Sequence, residues 1–288
     1  MISYAQNGED VLLWRALKDI QGGFYIDVGA NDPELLSVTK WFYDQGWSGI
    51  NIEPEHAFYE KLIEQRSRDI NLEVGAGTIE EERTFYVIPD TGLSTFEKEI
   101  ADAHVEKGFQ AKEQTVKITT LTRICQQYTK ERPIHFLKVD VEGSEENVLR
   151  GMDFQTYRPW ILVIEATVPL SAKLSVAWDN YVRSQGYEFT YFDGLSYFYV
   201  AEEKAADYRE KLSLQANVFD GFEKIEDVRR KQKIEVLTEE AVRRENALKK
   251  LVQEKQSLEA AYQTVLQSCS WRMTAPLRRL AAVIRAHR

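Results

Sequence analysis

The stretch FYIDVGANDPE, residues 24–34, runs an apolar strand-like segment into an acid, one glycine, an amide and a second acid, and a helical pattern follows. A strand that turns directly into a helix is the edge at which open α/β sheets hold small molecules. A pyrophosphate at such a turn needs several glycines, so that backbone amides can approach its oxygens. Here the turn carries Gly29 alone, between Asp27 and Asp32. Two acids beside a pyrophosphate repel it. A ligand with positive centres and no phosphate suits this edge, and S-adenosylmethionine, with its ammonium and sulfonium, has that chemistry.

Working outward, strand-like runs alternate with amphipathic helical stretches: FYIDV, GINIE, INLEVGA, HFLKVDV and ILVIEA, then YEFTYF and SYFYVA. That rhythm predicts an α/β domain with a mostly parallel sheet. The final pair, joined through Asp193-Gly194-Leu195, predicts an antiparallel hairpin at one edge. Residues 80–118 break the pattern, and an insertion there belongs near the carboxyl ends of the strands. The second strand ends at Glu53, where a carboxylate can accept both hydroxyls of a ribose. NAD enzymes place an acid similarly, so it is the shortage of glycines that separates the two cofactors.

At 288 residues and 43% hydrophobic content the chain can bury a sizeable core. No leader or membrane-length apolar run is legible, so a cytoplasmic location is expected. Cys125 and Cys269 show no metal or disulfide spacing. The net charge of −9 conceals an asymmetry: residues 260–288 carry +5 and no acid, leaving −14 on residues 1–259. Such a body repels nucleic acid, and the tail attracts anionic partners.

Beyond residue 201 the strand pattern stops. Steps of three and four from Ile234 give Leu237, Ala241, Arg244, Leu248, Leu251, Lys255, Leu258, Tyr262 and Val265. That seam predicts a coiled coil over 234–267 and a homo-oligomer, with a helical connector over 201–233. A single charged helix folded on the body is the alternative. Residues 268–288 place Trp271, Met273, Leu277 and Leu280 among arginines, a pattern for an anionic membrane surface or an acidic partner.

SYAQNGEDVLL (3–13), FYIDVGANDP (24–33), GWSGINIEP (46–54), GLST (92–95), FLKVDVEGSEENVLRG (136–151) and RPWILVIEA (158–166) together resemble the FkbM-family methyltransferases. The resemblance covers residues 3 to about 200. It implies a class I, Rossmann-like methyltransferase domain over 1–200 that transfers a methyl group from S-adenosylmethionine to hydroxyls of sugars and related compounds. It further implies that Asp27, Gly29 and Asn31 hold the methionine end and sulfonium, with Glu53 on the ribose. Gly75, within EVGAG, would close over the adenine edge. Gln6 and Glu9 would fold back over the cofactor; on residue chemistry alone, their segment reads as a polar helix start. The tail pattern resembles segments of bacterial surface-glycan assembly proteins, which implies a contact with such a protein or the inner membrane.

A sugar hydroxyl is a poor nucleophile at neutral pH, so positioning and a proton acceptor are both needed. Asp140 ends one strand, Glu142 follows it, and Glu165 ends the next. Either Asp140 is a base raised in pKa by its neighbours, or the three hold Mg²⁺ or another divalent cation through oxygen. Glu142 also reads as a helix-start acid. His104, near Ser94 and Thr95 in the insertion, is the candidate base among the histidines. The expectation is an O-methyltransferase of bacterial surface polysaccharide assembly, cytoplasmic and peripheral at the inner membrane. The competing readings are an inactive scaffold working through its coiled coil and an NAD-dependent sugar-modifying enzyme.

Overall fold

The computed structural model describes residues 1–89, 91–168, 171 and 173–286. The chain divides into a body, Met1–Ile225, and a second unit, Glu226–Arg288. The body is built on seven strands: β1 (Phe24–Val28), β2 (Ser48–Ile52), β3 (Ile70–Leu72), β4 (Phe136–Val139), β5 (Ile161–Glu165), β6 (Tyr187–Phe192) and β7 (Ser196–Ala201). Across the sheet they run β3-β2-β1-β4-β5-β7-β6. The first five are parallel; β7 is antiparallel to β5 and to β6, so the predicted hairpin is present.

All five residues of β1 are buried, as expected for a central strand covered on both faces. Ile26, Val28, Ile52, Leu137, Val139 and Ile164 point to one face, against the helices Leu121–Tyr128 and Glu145–Arg150. Tyr25, Phe136, Val163 and Phe198 point to the other, against Leu12, Leu13, Phe42 and Trp47. Period-two alternation thus splits the apolar residues between two layers.

Register then fixes what sits at the edge. Val28 pairs with both Ile52 and Val139, and Val139 pairs with Ile164. Gly29, Glu53, Asp140 and Glu165 therefore fall in one row at the carboxyl ends. The order reverses between β1 and β4, the place where doubly wound sheets open a crevice.

The insertion is more regular than its sequence suggests. Glu81–Val87 and Lys112–Thr119 pair antiparallel, Gly75–Ala76 joins the latter in parallel, and the helix Lys98–Glu106 lies between them in the chain. Only a small core of Phe85, Phe96, Val116 and Ile118 holds this sheet, so the strands carry little apolar signal.

Residues read as a helical connector, 201–233, are divided between the two units. Short helical turns follow β7, and Glu223–Lys224 pairs in parallel with Ile2–Ser3. Arg15 fastens this closure: it lies 2.6 Å from Asp220 and donates to the carbonyls of Lys211, Leu214 and Gln215.

A 43-residue helix, Ile225–Gln267, continues into the second unit, and the apolar seam residues along it are exposed. Ser268 caps the next short helix by accepting from the Trp271 amide, and the helix Ala275–Ala286 follows. The last two residues of the predicted tail, His287 and Arg288, lie outside the described residues. No described helix is long and apolar enough to cross a membrane. Cys125 is a buried free thiol and Cys269 an exposed one.

Candidate active site

A cavity of about 760 Å³ opens along the carboxyl edge of the sheet, and the row Gly29, Glu53, Asp140, Glu165 lies on its wall. The turn after β1 is tight. Gly29 has φ +75°, and a Cβ there would stand 1.8 Å from the Asp140 carbonyl oxygen. Only a glycine permits this approach of β1 to β4. Asn31 adopts φ +51°, which turns its amide toward Glu53.

Glu53 is buried, and its two oxygens accept from the amides of Asn31 and Glu55, each at 2.8 Å. Burial pushes its pKa up to about 7 against the lowering effect of those amides. It is a fixed acceptor rather than a solvated loop acid. Gln6, Asn31 and Gly75 also line the cavity.

Asp27 is placed differently. It lies on the opposite sheet face from Val28, buried, accepting from Thr39 Oγ1 at 3.0 Å, with Lys138 Nζ at 3.3 Å. It does not line the cavity, but it holds the lysine that does. Lys138 donates to the Gly29 carbonyl at 2.8 Å and stands 3.4 Å from Asp140 Oδ2. Burial works against its charge, but Asp27 and Asp140 outweigh that and raise its pKa.

Asp140, Glu142 and Glu165 form one cluster, each offering an oxygen within 4.8 Å of the others. Glu142 has φ +52°, a strained conformation for a side-chain-bearing residue, held where Thr95 Oγ1 donates to its carbonyl at 2.8 Å. Burial first, then the charge of Asp140, pushes Glu142 up; burial, Asp140 and Glu142 push Glu165 up further. Glu142 Oε2 and Glu165 Oε2 are buried without a hydrogen-bond partner. Like charges this close do not all ionise together, so the cluster holds protons or a cation at neutral pH.

Besides Asp27, two more sequence-expected residues lie off the cavity wall. His104 is buried on the helix Lys98–Glu106, its ring 6.0 Å from that of Phe109 and both nitrogens without partners, and it is not on the cavity wall. Ser94, ten residues earlier, does line the cavity, and Thr95 reaches the site only through its bond to the Glu142 carbonyl. Glu9 is buried beside Asp193 and accepts from the Asn7 amide at 2.8 Å. Burial and then Asp193 push its pKa up to about 8. It acts at the helix start, where residue chemistry alone puts it, while Gln6 reaches the cavity.

The sequence pattern placed a helix after Glu53 but did not mark which of its residues reach the site. Ala57, Phe58 and Lys61 share one face of His56–Gln65 and line the cavity, with Lys61 paired to Asp32 at 3.0 Å. The only available signal was helical spacing after Pro54. Glu55, which accepts from Ser94 Oγ at 2.8 Å, was likewise unmarked.

The family model for the methyltransferase FkbM domain matches residues 27–189. Among solved structures, a methyltransferase FkbM from Methylobacillus flagellatus KT is similar at 18% identity, with a TM-score of 0.40. The similarity covers 62% of this chain and 43% of that one, so it spans less than half of that protein's length. No curated relative matches the chain.

Proposed function

This chain belongs to the FkbM methyltransferase family, and we propose that it transfers a methyl group from S-adenosylmethionine to a hydroxyl of an uncharged glycan. The carrying observation is the in-register row of strand ends along one cavity, with an acceptor at Glu53 and a carboxylate cluster two to three strands away. The cavity's size suits a nucleoside cofactor and a sugar unit together.

The residues fit that cofactor. Glu53 takes the ribose hydroxyls, and the Gly29–Asn31 turn, with Gln6 nearby, receives the methionine end. When bound, S-adenosylmethionine supplies an activated methyl group. With that methyl group passing to the acceptor oxygen, Asp140 on the cavity wall would take the proton the hydroxyl gives up. Lys138, 3.4 Å from its Oδ2, holds Asp140 in place for that role, while burial and the neighbouring carboxylates favour the protonated forms of Glu142 and Glu165.

The charge of the wall supports an acceptor without phosphate. Asp32, Glu53, Glu55, Asp140, Glu142 and Glu165 line the cavity, and its two described lysines are both in ion pairs. A diphosphate would find no free cation there. The unpartnered oxygens of Glu142 and Glu165 support a second reading, in which a hard divalent cation replaces their protons and lowers the pKa of the acceptor hydroxyl.

We place the reaction in bacterial surface polysaccharide assembly, with the basic tail holding the enzyme at an anionic membrane face. Calorimetric titration with S-adenosylmethionine and S-adenosylhomocysteine, with and without Mg²⁺, tests the reading. Micromolar binding is expected. Folded protein that binds neither would leave a scaffold working through its helical unit.

A further inference from the structure

The long helix of the second unit carries a feature that neither the cavity nor the methyl transfer uses. Ile234, Leu237, Leu248, Leu251, Leu258 and Tyr262 all fall on the seam of alternating three- and four-residue steps that starts at Ile234, and each is 54% to 74% exposed. A soluble helix that leaves such a stripe uncovered along its length has a partner helix. Two cations, Arg244 and Lys255, interrupt the stripe. What surrounds them identifies the partner.

In a heptad numbering with Ile234 at position a, Arg244 occupies d and Lys255 occupies a. Each stands next to a glutamate on the flank: Glu245 follows Arg244, at e, and Glu254 precedes Lys255, at g. In a parallel coiled coil aligned in register, a d side chain packs into a hole that includes the facing e residue. An a side chain packs into one that includes the facing g residue. Arg244 then meets Glu245 of a second copy, and Lys255 meets Glu254 of a second copy. Within one chain Arg244 pairs with Glu240 at 3.6 Å and Glu245 with Lys249 at 2.7 Å, both exposed and one helical turn apart. Such pairs contribute little.

We infer that the helix Ile225–Gln267 pairs in parallel and in register with the same helix of a second copy, and that Arg244 and Lys255 set that register. The apolar layers on either side supply the association. The two charged layers select the alignment, since a shift by one heptad faces Arg244 with Val252 or Thr238, and Lys255 with Ala247 or Ala261, in place of a glutamate. Parallel alignment also brings every copy's basic C-terminal segment to the same end of the assembly, so weak contacts with an anionic surface add.

The test uses the full chain with Cys269 replaced by serine, because that thiol is exposed whereas Cys125 is buried. Leu237→Cys should oxidise to a covalent pair at twice the 33.4 kDa chain mass. Gln253→Cys, on the outward f position, should not. In an antiparallel pair residue 237 lies far from its own copy, so an oligomer that fails to cross-link at Leu237→Cys overturns the proposal. So does a single-chain mass by light scattering at micromolar concentration. Glu245→Lys combined with Glu254→Lys should reduce the solution mass to that of one chain; an unchanged mass would remove the role given to the charged layers.

Discussion

Lys138 and Asp27 are partners on one rung of the sheet, with Nζ 3.3 Å from Oδ1 across the β1–β4 pairing. Removing one member of a buried pair leaves the other uncompensated. Lys138→Met is expected to cost about 3–5 kcal/mol in urea unfolding. Combining it with Asp27→Asn should recover much of that loss. A double variant as unstable as the sum of the singles would show that the two residues do not act as a pair.

Asp140 faces the cavity and Asp27 does not, so their substitutions separate. Asp140→Asn should lower methyl transfer by about 10²- to 10⁴-fold, the range for loss of a general base. Affinity for S-adenosylmethionine should stay within a few-fold by calorimetry. Equal losses in both would place Asp140 on the cofactor side.

The raised carboxyl groups shape stability against pH. Glu53 at about 7, Glu9 at about 8 and Asp10 at about 6 bind protons in the folded chain that the unfolded chain has released. Their contribution is full below the ordinary carboxylate range and is lost as pH rises through these folded values. His135, held low by burial, opposes this below its ordinary value near 6.5. The acids outnumber it. Cofactor-free protein should therefore lose at least about 2 kcal/mol between pH 5.5 and 8.5. Chemical denaturation across that range measures it, and a rising curve would contradict the raised values of Glu9, Asp10 and Glu53.

Gly29 and Gly46 both have positive φ, +75° and +87°, but only Gly29 is crowded. Gly46→Ala should cost about 1 kcal/mol, the conformational term alone. Gly29→Ala should cost about 3 kcal/mol or more, because the new methyl collides with the Asp140 carbonyl. It should also weaken cofactor binding. Thermal unfolding of the two variants side by side makes the comparison.

The C-terminal segment predicts a salt-sensitive surface interaction. Its exposed Met273, Leu277, Leu280 and Ile284 lie among arginines, with Arg278 stacked 3.6 Å from the Trp271 ring centroid. The full chain should sediment with vesicles rich in phosphatidylglycerol and be released by about 0.5 M salt, where screening is short-ranged. Arg278→Glu with Arg279→Glu should abolish sedimentation. Equal binding to neutral vesicles would point to the apolar face alone.

The parallel sheet was legible because its central strands are buried on both faces and read as continuous apolar runs, and Asp193-Gly194 marked the hairpin. The insertion was not, because its strands bury few side chains beyond Phe85, Val116 and Ile118. At the site, Gly29, Glu53, Asp140 and Glu165 could be picked out because each is the last residue of a strand or the first after it. His104 was misleading: nearness in sequence to Ser94 and Thr95 says nothing about which way a helix turns its ring. Lys61 and Phe58 were hidden for the converse reason, since a helix face shows no motif until its neighbour is known.

The closure made by Arg15 and Asp220, 205 residues apart, has a consequence for synthesis. As the chain leaves the ribosome, the strands and helices matched by the family can dock while the N-terminal arm still lacks its counterpart. Gln6, which borders the cavity, and the arm that carries it settle only when residues near 220 emerge. Until then the apolar face of the helix Glu9–Leu17, including Leu12, Leu13 and Leu17, has only part of its cover. Nascent chains halted at residue 200 should therefore hold a trigger-type chaperone longer than chains halted after residue 230 with the exit tunnel cleared, and shortening the body to the family boundaries would remove both halves of its clasp.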